Sequence, residues 1–188
     1  MGRYVLSCES SSNLPFYYLE KRGIRCINNT FILDGHEYES DCFKSRDVVA
    51  AFGQALLEKK QPATRPIDER RYFEHFKSIV EEGHSVIHLT LSSGVSDSYQ
   101  NALKAAEKVN SMYPNQHVEV VDSVSCAGGF GMLVESVKDF MDKGIDDLNE
   151  IMNFIKGEKL SFHHIFYCTD MSFFRRTGKI SLMKSILG

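Results

Sequence analysis

The stretch LSSGVSDSYQNA, residues 91–102, joins the two patterns that decide the fold. The run before it, VIHLTL at residues 86–91, is apolar and rich in β-branched side chains, which is typical of a buried strand. The run after it, YQNALKAAEKV at residues 99–109, has the apolar spacing of an amphipathic helix. A cluster of serines with one glycine and one aspartate therefore lies where a strand ends and a helix begins.

The same order of strand, small polar turn and helix occurs twice more in the chain. Residues 3–22 read RYVLS, then CESSSNLP, then FYYLEKR, and residues 117–143 read HVEVV, then DSVSCAGGFG, then MLVESVKDFMDK. A glycine follows each of these two helix patterns, as is common at a helix end. This repetition predicts an α/β protein with an open, mainly parallel sheet and helices on both faces. A fourth strand pattern, at residues 164–169, follows a helix pattern at residues 147–156.

The segment between the first and second of these units has a different pattern. Asp34 and Gly35 form a turn signal between two short β-rich runs. The segment predicts a strand at 24–33, a hairpin return at 36–40, a helix at 45–57, a polar loop at 59–66 and a helix at 68–80.

Composition limits the classes of function. The chain has 188 residues, a formal net charge of -3 and no cluster of Lys and Arg, which argues against a nucleic-acid partner. No apolar run approaches the roughly 18 residues of a membrane-spanning helix, and the start lacks a signal-peptide pattern, so we expect a cytoplasmic protein. The cysteines are odd in number and show no C-x-x-C spacing, so we expect no metal site; they are Cys8, Cys26, Cys42, Cys126 and Cys168. We also expect no cofactor.

The serine-rich turns after the three strands should lie at one edge of the sheet, where ligands of such folds bind. A serine nucleophile at this edge would make the protein a small hydrolase that uses Ser93. However, residues 92–96, SSGVS, do not match G-x-S-x-G, and no histidine has an evident place as the base. The glycines at 128–131 lack the dinucleotide-binding spacing and favour close packing of a strand and a helix instead.

An anion cradle is the other interpretation of the serines. Hydroxyls and free backbone N–H groups at a helix N-terminus suit a carboxylate or a phosphate. A helix cap formed by Ser96 or Asp97 would explain part of the pattern without any ligand. Thr64, just before a predicted helix, is open to the same two interpretations. Spacing alone does not separate the cradle from the cap.

Several motifs of this chain resemble those of the DegV family of bacterial fatty-acid-binding proteins, the lipid-binding subunits of fatty-acid kinase. Residues 92–102, SSGVSDSYQNA, are similar to its S-S-x-L-S-G-T-Y-Q-S-A signature, which is the most specific of the matches. Four further stretches resemble family motifs in the same order: CESSSNL at 8–14, ATRP at 63–66, VVDS at 120–123 and RRTGKIS at 175–181.

The resemblance implies a two-domain protein, with residues 1–158 as the N-terminal α/β domain and residues 159–188 as the truncated start of a second domain that closes a lipid tunnel. It also implies that Thr64 and Ser93 bind the carboxylate of a long-chain fatty acid, that the Gly94 backbone contributes, and that Ser92 and Ser96 support them. The tail would lie in a buried tunnel, for which we expect these liners: Phe16, Phe130, Met132 and Phe173.

The implied protein is a carrier and not an enzyme. A separate kinase subunit would phosphorylate the bound carboxylate with ATP, and the acyl phosphate would enter phospholipid synthesis. The expected partners are therefore the fatty acid, the kinase subunit and, transiently, a membrane surface. Asp97 departs from the family pattern because a glycine is usual there. Its charge would weaken anion binding unless its side chain turns away to cap the helix. Glu9 likewise replaces the family aspartate.

Overall fold

A computed structural model describes residues 4–165 and residue 167. Its helices and strands follow one another in this order: β1 (Tyr4–Glu9), α1 (Phe16–Arg22), β2 (Arg25–Ile27), β3 (Asn29–Leu33), β4 (His36–Ser40), α2 (Arg46–Leu57), β5 (Ala63–Arg65), α3 (Glu69–Glu81), β6 (Ser85–Thr90), α4 (Ser98–Met112), β7 (Val118–Asp122), α5 (Ala127–Met141) and α6 (Leu148–Glu158). A single 3-10 turn, Ser10–Ser12, follows β1.

The main sheet is parallel throughout, in the strand order β2-β1-β6-β7. The three strands with serine-rich turns, β1, β6 and β7, are direct neighbours. Their register sets Cys8 beside Leu89, and Thr90 beside Asp122, so the strands end at one level. The predicted mainly parallel α/β sheet is confirmed.

Alternating residues of the strands face two separate apolar cores, as the two-residue period of a strand requires. Ile87 and Leu89 lie in one core, together with residues of α1, α5 and α6. Val86 and Val120 lie in the other core, with residues of α3 and α4. Helices therefore cover both faces of the sheet, as the repeated strand–helix pattern predicts.

The segment predicted as one strand at 24–33 is in fact two strands in two sheets. β2 lies at the edge of the main sheet, and β3 is the central strand of a small antiparallel sheet with the order β4-β3-β5. A tertiary contact lies at this crossing, where the backbone N–H of Asn29 donates to the hydroxyl of Ser10 at 2.8 Å. The predicted loop at 59–66 is also partly wrong, since Ala63–Arg65 pairs with β3.

α5 begins at Ala127, five residues before the predicted start at residue 132, so the glycines at 128–131 lie in its first turns. Gly131 is needed for close packing: a Cβ atom there would stand 2.5 Å from the carbonyl oxygen of Ser12. At this position the glycine serves close packing as expected, but of α5 against the 3-10 turn and not against a strand. α1 ends where predicted, at Gly23, whose φ of 63° lies in the left-handed region.

Some predictions lie wholly or partly outside the described residues. They are the strand at 164–169, the RRTGKIS motif at 175–181 and the tunnel liner Phe173. Within residues 4–165 and 167, no helix combines the length and the apolar character that crossing a bilayer requires.

Candidate functional site

Hydrogen bonds join the three strand-end turns into one structure. The backbone N–H of Ser92 donates to the carbonyl of Ser125 at 3.0 Å, and that of Ser123 donates to the carbonyl of Thr90 at 3.3 Å. The backbone of Leu91 bonds to the buried carboxyl of Glu9. The shared edge that the parallel sheet predicts is therefore present.

Ser93 is fastened to the end of β7. Its hydroxyl donates to Oδ2 of Asp122 at 2.5 Å, and its backbone N–H donates to Oδ1 at 3.1 Å. Asp122 belongs to the VVDS motif at 120–123, but the sequence does not predict its bonds to Ser93. Its position directly at the end of a neighbouring parallel strand is the signal that could have paired it with Ser93.

The other serines of this turn make hydrogen bonds within the turn and to the start of α4. The hydroxyl of Ser92 accepts from the N–H of Gly94 at 3.2 Å, and that of Ser96 accepts from the N–H of Ser98 at 3.2 Å. Ser96 also donates to the hydroxyl of Ser98 at 3.0 Å. These contacts give each hydroxyl a protein partner, so the serines can be explained without a ligand. The hydroxyl oxygens still have unused acceptor lone pairs.

Asp97 occupies the N-cap position of α4, but its side chain makes no capping hydrogen bond and is exposed. The charge of Asp97 would be harmless to a bound anion only if its side chain capped the helix. It does not cap the helix. Ser96, one residue earlier, provides the side-chain bond to the start of the helix.

A serine hydrolase would need a base beside Ser93. Among the described residues, the side-chain hydrogen bonds of Ser93 go to Asp122 and none goes to an imidazole. His88 is fully buried within β6, and its Nδ1 lies 2.9 Å from the hydroxyl of Ser7. The same hydroxyl lies 2.7 Å from Nε2 of His75, so both histidines belong to an internal cluster.

Glu9, which stands where the family has aspartate, is wholly buried. Burial raises the pKa of its carboxyl, and hydrogen bonds from Tyr72, Ser11 and the Leu91 backbone act in the opposite direction. The hydroxyl of Tyr72 on α3 donates to Oε1 at 2.6 Å, and that of Ser11 donates to Oε2 at 3.0 Å. This carboxyl therefore joins the strand end to α3 and does not face solvent.

A cavity of about 800 Å³ lies between the small antiparallel sheet, α2 and the 3-10 turn after β1. A volume of this size is typical of a small-molecule site. Its lining consists of Ser10, Asn13, Asn29, Thr30, Phe31, Glu39, Ser40, Asp41, Cys42, Phe43, Val48, Val49, Phe52, Gln61, Pro62, Ala63 and Thr64.

The cavity combines an apolar wall with hydroxyl groups. Phe31 packs edge-on against Phe52, with 5.0 Å between the ring centroids. Thr64 is the register partner of Phe31 on the adjoining strand, so its hydroxyl-bearing side chain belongs to the same wall. The two carboxylates of the lining have partners: Arg71 pairs with Glu39 at 3.2 Å, and the N–H of Ser45 donates to Asp41 at 3.0 Å.

The structure thus separates the predicted site residues into two groups. Thr64 lines the cavity, whereas the described lining does not include Ser92, Ser93, Gly94 or Ser96. Of the predicted tunnel liners, Phe130 is a fully buried core residue and Met132 is 54% exposed; neither they nor Phe16 line the cavity. Ser10, Phe31 and Phe52 line the cavity but were not predicted from the sequence. The strand pattern of residues 29–33 beside a turn signal was the available indication of a second sheet.

The described residues contain no group of three or more His, Cys, Asp or Glu side chains that could hold a metal ion. Two thiols nevertheless lie close together, with Sγ of Cys26 at 3.5 Å from Sγ of Cys42.

Solved structures with the same fold come from several bacteria. A fatty-acid-binding DegV family protein from Thermus thermophilus matches 99% of this chain and 64% of its own, with a TM-score of 0.79 and 23% identity. A stearic-acid-binding protein from Eubacterium ventriosum matches 81% of this chain and 52% of its own, with a TM-score of 0.73 and 24% identity. The fatty acid kinase B3 protein of Streptococcus pneumoniae, loaded with linoleic acid, matches 83% and 54%, with a TM-score of 0.67 and 17% identity.

Sequence comparison points the same way. A DegV domain-containing protein of Clostridium perfringens is 27% identical over 188 residues, which is all of this chain and 64% of the relative. The chain therefore spans slightly less than two thirds of that relative. The family model for DegV proteins, described as uncharacterised, matches residues 6–188. On this match, the chain belongs to the DegV family.

Proposed function

We propose that the protein binds a long-chain fatty acid and presents it to a separate kinase, without catalysing a reaction itself. The tail would occupy the cavity beside α2, and the carboxylate would rest on hydroxyl groups and backbone amides. The carrier role, the kinase partner, the entry of the acyl phosphate into phospholipid synthesis and a cytoplasmic location are parts of this proposal. So are a domain boundary near residue 158 and transient contact with a membrane surface.

The observation that carries the proposal is the cavity that contains Thr64. It offers aromatic and aliphatic side chains, including Phe31, Phe52 and Val48, to an apolar tail. Burying each methylene of such a tail is worth about 0.8 kcal/mol, so the tail would supply most of the affinity. The fatty acids named for the structural neighbours are ligands of the same chemical class.

The head group would be held without a cationic side chain from the described lining, which contains no Lys or Arg. Four residues of that lining carry hydroxyl groups: Ser10, Thr30, Ser40 and Thr64. Ser93, with the Gly94 backbone and with Ser92 and Ser96 in support, is proposed as a second contact beyond the lining. Engagement of Ser93 would compete with its bond to Asp122.

Three variants test the head-group contact. Thr64→Val keeps the shape of the side chain and removes its hydroxyl, whereas Thr64→Ser keeps the hydroxyl. A hydrogen bond to a charged group contributes roughly 1.5–3 kcal/mol, so Thr64→Val should weaken palmitate binding by about 10- to 100-fold, and Thr64→Ser should bind almost as the parent does. Competition with a fluorescent fatty acid measures the palmitate affinity of both Thr64 variants. The same assay on Ser93→Ala tests the second contact. Equal affinity of Thr64→Val and the parent would contradict the role of Thr64.

The tail site has its own test. Val48→Asp places a charge in the apolar wall and should abolish binding, while Met112→Asp, at an exposed residue at the C-terminal end of α4, should not. Mass spectrometry of lipid extracts from the purified protein should find a bound acyl chain in the parent and in Met112→Asp. Absence of an acyl chain from the parent, together with no uptake of added palmitate, would reject the proposed function.

The carrier role is tested by supplying the kinase. Protein loaded with labelled palmitate should give acyl phosphate, trapped by hydroxylamine, only when both ATP and a bacterial fatty-acid kinase subunit are added. Formation of acyl phosphate with ATP alone would show that the chain itself is an enzyme.

A further inference from the structure

Two thiols meet at the wall of the cavity. Cys26 lies on β2 at the edge of the main sheet, and Cys42 lies in the turn between β4 and α2. Their sulfur atoms are 3.5 Å apart, and both cysteines are free thiols. A covalent bond between the sulfurs measures about 2 Å, so an approach of roughly 1.5 Å would join them.

The backbone holds Cys42 in this position. Cys42 and Phe43 have φ values of 57° and 64°, in the left-handed region that residues other than glycine seldom adopt. The Cys42 carbonyl accepts a hydrogen bond of 2.8 Å from the N–H of Phe16, and Asp41 fixes the turn by accepting from the N–H of Ser45. The strained turn therefore keeps the Cys42 thiol beside Cys26.

The two thiols differ in reactivity and in access. Cys42 lines the cavity although only 4% of its surface is exposed, whereas Cys26 is half-buried and is not among the lining residues. The two sulfurs share a hydrogen bond in which either thiol can donate. With Cys26 as the donor, this bond lowers the pKa of the Cys42 thiol, against the opposing effect of its burial. That hydrogen bond, a further one with Cys8 and burial all raise the pKa of Cys26. Because the thiolate is the reactive form, Cys42 is the thiol that a small oxidant should attack first.

We propose that Cys42 and Cys26 form a reversible redox pair, in which a hydroperoxide oxidises Cys42 and Cys26 then closes a disulfide at the cavity wall. In the first step the Cys42 sulfur takes the terminal oxygen of the hydroperoxide, which gives a sulfenic acid and releases water or an alcohol. In the second step the Cys26 sulfur attacks the sulfenic sulfur, which forms the S–S bond and releases water. The two thiols lose two hydrogens and two electrons, and the peroxide O–O bond is reduced.

The odd number and wide spacing of the cysteines disfavour a permanent disulfide framework, but the pair needs no permanent bond. Disulfides in reducing compartments are mostly transient and redox-sensing. The proposal concerns the thiols alone and holds whether or not the cavity binds a fatty acid.

Peptide mapping of the full chain gives a direct test. Trypsin cuts after Arg25 and Lys44 and leaves residues 26–44 as one peptide that contains both cysteines. Hydrogen peroxide near stoichiometric amounts should make this peptide lighter by two hydrogens, and dithiothreitol should restore its mass. The background Cys126→Ser/Cys168→Ser removes two other thiols and should behave in the same way.

The variants separate the attacking thiol from the resolving one. Cys26→Ala should stop at the sulfenic acid, which dimedone labels on Cys42, and Cys42→Ser should give no disulfide within the peptide. Oxidation should also raise the melting temperature of the parent by about 5 °C, because the bond closes a loop in the unfolded chain. An unchanged peptide 26–44 under conditions that oxidise the urea-unfolded protein would overturn the proposal. So would a bond from Cys26 to Cys8, which would join two tryptic peptides.

Discussion

Ser93 and Asp122 connect the ends of two neighbouring strands, through bonds of 2.5 Å from the Ser93 hydroxyl and 3.1 Å from its backbone N–H. The same carboxylate accepts from the N–H of Val124 at 2.9 Å. One acidic side chain therefore fixes the turn after β6 and the turn after β7 together.

Replacing Asp122 with alanine should lower the free energy of unfolding by about 2 kcal/mol, because the three donors lose a charged acceptor. Urea unfolding measures the change. Asp97→Ala is the matched control, since Asp97 is exposed and makes no side-chain capping bond, and it should leave the stability unchanged. An equal loss of unfolding free energy in both variants would show that the hydrogen bonds of Asp122 do not stabilise the fold.

Alanine should be tolerated much less well at Gly131 of α5 than at Gly128. An alanine Cβ at position 131 would stand 2.5 Å from the Ser12 carbonyl oxygen and 3.3 Å from Cδ2 of Leu14, so the helix or the 3-10 turn would have to move. Overpacking of this kind costs about 1–3 kcal/mol. Gly128→Ala, in the same helix but with nothing within 4 Å of the added Cβ, should be neutral or slightly stabilising. Thermal unfolding of the two variants tests the contrast, and comparable melting temperatures would contradict it.

Much of the fold could be predicted from the sequence because strand and helix periods, glycine stops and polar turns agree along the chain. α1 matches its predicted bounds, and β1, β6 and β7 begin and end within two residues of theirs. The second sheet could not be predicted. The break between β2 and β3 depends on a tertiary bond from Asn29 to Ser10, and β5 is only three residues long.

The candidate site was predictable at the level of the loops but not of the contacts. Parallel strand order brings the turns of β1, β6 and β7 to one edge, which the repeated pattern indicates. Hydroxyl positions alone do not identify their partners, and the place of Asp122 at the end of the neighbouring strand is the one indication of its pairing with Ser93. The cavity beside Thr64 depends on where α2 packs on the small sheet, and this is a matter of tertiary contacts.

The hydroxyl of Tyr72 should stabilise the folded protein. Tyr72 is fully buried, and its OH donates to the buried Glu9 carboxyl at 2.6 Å. Tyr72→Phe leaves that carboxyl with fewer donors and should cost about 1–3 kcal/mol of unfolding free energy. Tyr113→Phe removes an equally short bond, 2.7 Å to Glu81, but at the exposed surface, and should have no measurable effect. Urea unfolding of the two variants tests whether burial determines the stabilisation by a tyrosine hydroxyl. Similar losses of unfolding free energy in both variants would contradict this prediction.

The histidine cluster should make stability depend on pH. Burial lowers the pKa of His75 to about 4, from an ordinary value of 6.5, and the charge of Arg25 acts in the same direction. Burial and the neighbouring His75 also lower the pKa of His88. Both imidazoles are therefore neutral in the folded state, while the unfolded chain takes up protons below about pH 6.5. The stability they contribute is complete above that pH and is lost as the pH falls toward 4.

For His75 this loss amounts to at most about 3 kcal/mol, from roughly 1.4 kcal/mol for each pH unit. His75→Gln, whose amide can still bond to Ser7, should flatten the decline in unfolding free energy between pH 7 and pH 4.5. Glu9 contributes a slope of the opposite sign, because its raised pKa makes the folded state hold a proton more strongly. Comparison of variant and parent cancels that contribution. An unchanged slope in His75→Gln would show that His75 is already protonated in the folded protein.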